Sequence, residues 1–532
     1  MFIQENKLRF KHLIFIFALT ILGCFAHGQN GLQLIRGTIT DKQSQQILIG
    51  VKVCVLETNP MNCVQSDSKG NYRIQRLKPG RYDIKFSYLG YKEVTIPNVI
   101  VSSGKETILD ISMEESVNNM REIKITNKKN TLNNQMTTVS GRSFSMEEVN
   151  RYAGGRSDPA RLAANFAGVS SPDDSRNDLV IRGNSPVGVL WRVEGLNIPN
   201  PNHFSTIGTT GGPVSAINTN LLRNSDFMTS AFPAEYGNAN AGVFDLGFRN
   251  GNTEKRENTF QFGLITGIEL MTEGPIKKEN GSSYVFAYRY GFPSMAKKLG
   301  LPIGTFATPY YQDLSFKINS GQTKLGRFSF FGIGAVSRVN FEHDKIDSTD
   351  LFAIPNRDGF FNSQIALGGI KHSIKVNEKS YFLTILGANF GGSSYLQDSI
   401  SVVDSSSVRT IENLTNRLTY SINSSYNLKI NARMFFKTGI LGELFKIKLL
   451  YRSRENTANW VDYWNADKIT FLGQAFAHLK YNFSDNLILN TGLHGQFLTL
   501  NNSYSIEPRI GLKYQFSKTS SFSCGYGIHS QM

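Results

Sequence analysis

The stretch LVIRGNSPVGVLWRVEGLNIPNPNHF, Leu179 to Phe204, decides how the rest of the chain is read. A short apolar strand ends at Arg182-Gly183. A second strand then places Val189, Trp191 and Val193 on one face and Leu190, Arg192 and Glu194 on the other, the two-residue period of extended backbone. Glu194-Gly195 turns that strand, and a Pro/Asn-rich loop carries the chain to Phe204.

Working outward, 532 residues are too many for one ordinary domain. Hydrophobic residues make up 40%, with 37 Phe, 21 Tyr, 48 Gly and only 16 Pro, a balance that favours aromatic-girdled β structure over a helical bundle. Beyond the N-terminus no apolar run is long enough for a membrane helix, which leaves a β-barrel open because its strands alternate. The net charge of +15 is spread along the chain and mostly alternates with apolar residues. That pattern points to anionic headgroups of a membrane and away from nucleic acid.

Residues 1–28 have the build of an export signal: Lys7, Arg9 and Lys11, an apolar core from Leu13 to Phe25, then Ala26-His27-Gly28. Ile21-Leu22-Gly23-Cys24 keeps a lipoprotein anchor open as the alternative. Cys54 and Cys63 flank a turn between what read as adjacent strands; in an oxidising compartment a disulfide or two free thiols are both open.

Residues 29–115 form a β-sandwich, with strands expected at Ile35-Ile39, Gly50-Glu57, Tyr72-Gln75, Tyr82-Tyr88 and Glu106-Met113. Tyr82, Ile84, Phe86 and Tyr88 are expected inward. Residues 116–143 are a polar linker. Residues 144–254 make a small α+β unit, with one helix opened by the Ser145/Glu148 capping box and a second by Asp158-Pro159. Residues 255–532 read as an antiparallel transmembrane barrel of about ten-residue strands joined by alternating short turns and long loops. Alternation sends Phe471, Ala475, Leu479, Tyr481 and Phe483 outward, and Gln474, His478, Lys480 and Asn482 inward. Ile506, Ile510, Leu512, Tyr514 and Phe516 point outward by the same rule, and Glu507, Arg509, Lys513 and Gln515 inward. About thirteen strands fit, an odd number for a closed barrel, so the barrel is expected to be incomplete in this chain. The fold class is mostly β throughout.

Leu179–Phe204 resembles the plug of TonB-dependent outer-membrane receptors, with strand-RG and strand-EG in place of strand-DG. AEYGNANAGVFDLGFRNG, Ala234 to Gly251, resembles the end of that plug, with its second glycine and asparagine altered. D-x-K-G-N-Y, L-K-P-G-R-Y and Y-L-G-Y between Asp67 and Tyr91 resemble the carboxypeptidase-regulatory-like domain found ahead of the plug in Bacteroidetes receptors. No H-x-x-E or H-E-x-x-H pair exists, so no zinc peptidase is expected, nor an enzyme, a metal or a cofactor.

The resemblance implies an outer-membrane location in a Gram-negative cell, with a periplasmic N-terminal domain and membrane lipid around the barrel. It implies uptake of a small, unidentified nutrient by plug-gated active transport, or ligand sensing without net uptake. It places a TonB contact at Arg121, Glu122, Ile123, Lys124, Ile125 and Thr126, where an extended strand could add to a partner's sheet; a terminal strand of the sandwich is the alternative. Asn200, Asn202, His203 and Phe204 become the substrate-facing apex of the plug, or else a rigid spacer. Arg182 becomes half of a plug–barrel latch, with lumen-facing Glu507 as the expected partner. His478 and His494 fit a metal chelate or simply a hydrated polar wall.

Overall fold

The computed structural model describes residues 32–532 except 59, 104–105, 118–132, 207, 264–266, 294–306, 308, 344–355, 402, 456–458 and 518–519. The expected export signal and the TonB contact at 121–126 lie outside the described residues. Two compact units divide the chain near Met113.

The first unit is a sandwich. One sheet orders Asn71–Leu77, Gln33–Asp41 and Thr107–Ile108, with Ile111–Met113 also on Gln33–Asp41; the other orders Asn62–Gln65, Lys52–Val55, Gly80–Ser87 and Val94–Val101. Ile35, Ile39, Val53, Ile74, Ile84 and Phe86 are fully buried between them. Tyr82 and Tyr88 pack against this core half-buried. Asn62–Gln65 is the strand expected around Cys63, and Val94–Val101, an edge strand, goes beyond the expected set. Pro97 interrupts the pattern of Val94–Val101, and Asn98 takes a left-handed φ of 56°; an edge position tolerates both because the outer side of an edge strand has no ladder to satisfy. Cys54 and Cys63 stand directly opposite each other on paired strands and are joined as a disulfide.

The second unit holds the plug and a thirteen-stranded antiparallel wall. The plug sheet orders Leu196–Ile198, Val189–Val193, Gly242–Leu246, Ser225–Met228 and Gly141–Phe144. Val189–Val193, whose alternation sets out two faces, is buried along its whole length. Trp191 stacks on Phe244 at 4.1 Å on one side, while Leu190 joins Phe232, Tyr236 and Val243 on the other. Central strands are covered on both faces, so their alternation carries no exposed side. The helix Met146–Arg151 is closed by both bonds of the Ser145/Glu148 capping box, and Pro159–Ala163 is capped by Asp158.

Each wall strand from Glu257–Gly263 to Ser521–Gly527 pairs with the next in sequence. Gln474, His478, Lys480, Asn482, Glu507 and Arg509 are buried on the inner face, while Phe471, Phe483, Ile506, Ile510, Tyr514 and Phe516 are exposed on the opposite face. An exposed aromatic outer face over a polar inner one is stable only with lipid outside. The strands are longer than expected: Arg357–Asn377, Ser380–Ile400, Ser407–Lys429, Met434–Ser453 and Val461–Asn482 have 20 to 23 residues. Residues 357–362, 397–400, 407–413 and 461–470, beyond the ten-residue strands expected, are therefore strand. At a rise of about 3.3 Å per residue these strands outrun an apolar band of about 25 Å. Beyond the lipid both faces are wet, so backbone pairing continues where the hydropathy signal stops.

Candidate functional site

The two signature turns share one geometry. Arg182 and Gly183 have φ of 51° and 81°, and Glu194 and Gly195 have 52° and 92°. Two successive left-handed residues make the tight turn that matches strand twist, and glycine in the second place removes the Cβ penalty. Gly195 also has no room: a Cβ there would lie 2.3 Å from Ile385 Cδ1 of the wall.

That turn drives the Glu194 carboxylate into the wall. Lys317 Nζ lies 2.9 Å from Oε1 and Lys371 Nζ 3.0 Å from Oε2, and the Phe248 amide donates to Oε1 at 2.7 Å. Lys317 also donates to the Phe248 carbonyl. The carboxylate is fully buried. Burial alone would raise its pKa, but the Lys317 and Lys371 ammonium groups beside it hold it well below the usual carboxylate range.

Further along, Arg249 makes a two-pronged pair with Glu273 at 2.7 and 2.8 Å, tying the end of the plug to the wall. Lys437 Nζ meets Glu235 at 2.6 Å. Arg509 donates to the carbonyls of Phe232, Pro233 and Tyr236 and pairs with Glu507 at 2.5 Å. His478 accepts from the Ala234 amide and His494 donates to its carbonyl. Both histidines thus seat the loop Phe232–Tyr236, and among the described residues no group of three or more His, Cys, Asp or Glu is placed to hold a metal.

Two expectations need correction. Arg182 and Glu507 are not partners: exposed Arg182 donates to Ser140 Oγ at 2.9 Å, while Glu507 takes Arg509, Ser505 and Ser530. The left-handed turn that holds Arg182 faces the plug's own edge. Exchanging the charges, Arg182→Glu with Glu507→Arg, is therefore expected to give no rescue of channel leakage over the single variants in planar-bilayer conductance.

The apex residues are also not a free recognition surface. Asn200, Asn202 and His203 are buried. Asn200 donates to Thr209 and Gly211, Asn202 to Asn200 and Thr210, and His203 lies 3.0 Å from Asp313, which Arg289 also binds. Only Phe204 remains half-buried, its amide held by Ser337. A Pro/Asn-rich loop must satisfy its own backbone when buried, and these side chains do that work. The rigid-spacer alternative describes three of the four.

The Glu194 pair went unread in the sequence because its lysines are 123 and 177 residues away. Alternation in YYQDLSFKIN did carry half of the signal, since Asp313 and Lys317 share the inward face.

Comparison with known proteins gives the same architecture. Residues 34–114 match the carboxypeptidase regulatory-like domain. The TonB-dependent transporter Oar of Myxococcus xanthus is 24% identical over 234 residues, covering 42% of this chain and 21% of that protein. The outer-membrane transporter YddB of Escherichia coli superposes with a TM-score of 0.51 at 11% identity, over 73% of this chain and 60% of that one. The siderophore receptor PirA of Acinetobacter baumannii gives the same figures. The chain spans about a fifth of the curated relative and about 60% of these solved structures. These relatives are transporters and receptors rather than enzymes, and the likeness establishes a shared plug-and-barrel fold.

Proposed function

We propose that this chain, built on the plug-and-barrel fold of TonB-dependent outer-membrane receptors, takes up a scarce nutrient through a plug-gated channel. The single observation that carries the reading is the plug seated on the inner face of a lipid-facing wall and held there by discrete ion pairs and hydrogen bonds beside an apolar seam that includes Phe331, Leu367 and Ile385. Such a seat blocks passage yet can be released without unfolding the wall, which keeps its own continuous ladder. TonB, engaging the segment at 121–126, would supply the pull; the surrounding partner is outer-membrane lipid, and the sandwich faces the periplasm.

The test is accumulation of candidate nutrients by cells carrying the full-length gene, with and without TonB. Uptake that requires TonB is the expected result. Binding without accumulation in either strain would overturn transport and favour sensing.

A further inference from the structure

We infer that Asn133 and Asn134 form a clasp that holds the linker to the plug, so that a pull on residues 118–132 loads the plug through this one point. The inference rests on the transport reading for its purpose, though not for its geometry.

Asp226 lies on Ser225–Met228, is 1% exposed, and takes three bonds from the linker. The Asn133 amide and side chain both reach Oδ1 at 3.1 Å, and the Asn134 amide reaches Oδ2 at 2.7 Å. Asn133 Nδ2 also donates to the Asn224 carbonyl. The Asn134 side chain donates at 2.8 Å to both Glu235 Oε1 and the Tyr236 hydroxyl. The Tyr236 hydroxyl in turn donates a hydrogen bond to Asp245 at 2.6 Å, and Glu235 is the carboxylate bound by Lys437 of the wall. The clasp therefore grips the plug sheet, the AEYG stretch and, through Lys437, the wall.

Two features make this point decisive. Asp226 and Asp245 face each other in register on paired strands. With the asparagine donors gone, two carboxylates would share a buried site without those bonds, so the clasp fails sharply. Beyond Met136, whose carbonyl Asn490 of the wall holds, the chain continues into Gly141–Phe144, the plug sheet's edge strand, which pairs with the same Ser225–Met228. Once the clasp opens, a four-residue edge strand is next in line. On the other side of residues 118–132, Glu114 binds Lys480 and Asn482, and Ser116 and Val117 bind Asp485. This second anchor directs load away from the N-terminal unit and into the plug.

The experiment compares the full chain with Asn134→Ala and, separately, Asn133→Ala, by hydrogen–deuterium exchange in detergent without TonB or nutrient. Asn133 is exposed and Asn134 half-buried, and neither belongs to the wall ladder, so folding of the wall is preserved; Asp226→Asn serves as the second variant. Exchange at Gly141–Phe144 should accelerate by about tenfold, as expected for losing a bond to a buried charged group. Exchange at Val189–Val193 should not change. Pulling on a handle in 118–132 should show a lowered first rupture. Unchanged edge-strand exchange and unchanged rupture would overturn the clasp. TonB-independent accumulation would instead overturn the transport reading and leave the exchange result intact, so the two failures are distinguishable.

Discussion

Glu194→Gln should open the plug in the absence of any energy source. The substitution preserves shape but removes the charge that two buried ammonium groups face, and breaking a buried pair from one side costs about 3–5 kcal/mol. Lys317 is left almost fully buried with a neutral amide oxygen and the Phe248 carbonyl to face, and no counter-charge from residue 194. Planar-bilayer recordings should show frequent large openings, and cells should admit bulky antibiotics that the parent excludes. Replacing all three groups by apolar residues of similar size should restore most of the stability, because buried ion pairs add little over good packing. Wild-type-like conductance for Glu194→Gln would refute the latch.

The pH dependence follows from the depressed pKa. A carboxylate held below its ordinary value of 4.5 contributes stability that is fully present above that value and is lost as pH falls through its folded pKa. The Glu194 carboxylate should therefore stay charged across the neutral range, and its own contribution should be lost only in strong acid. Salt should affect it little, since screening acts weakly on buried pairs.

Arg509→Ala is the second large effect. One guanidinium satisfies three plug carbonyls and neutralises Glu507, which is 0% exposed. Its loss leaves a buried carboxylate with only hydroxyl and amide donors, at a cost of about 3–5 kcal/mol. The loop Phe232–Tyr236 should lose protection in hydrogen exchange, while the wall ladder around Ser503–Gln515 stays protected. Arg509→Lys should recover only part of the effect, because a single ammonium cannot serve the plug carbonyls with one nitrogen and Glu507 with another, as Nη1 and Nη2 do. Full protection of the loop in Arg509→Ala would remove this seat from the account.

What the sequence determined by itself was everything with a short period or a local conformational demand. Period-two alternation marked which side of the wall meets lipid, as Ile506, Glu507, Arg509 and Ile510 show. The left-handed requirements of Arg182-Gly183 and Glu194-Gly195 marked the turns, and Ser145/Glu148 marked a helix start. These signals are written within a few residues because the constraint acts within a few residues.

The tertiary structure alone decided the partners. Glu194 meets Lys317 and Lys371, Arg182 meets Ser140, and Asp226 meets Asn133 and Asn134, each across a separation that no periodicity reports. An inward-facing charge looks the same in sequence whatever it pairs with. Its partner is chosen by where the plug sheet lodges against the wall, and that depends on packing both faces of Val189–Val193 at once.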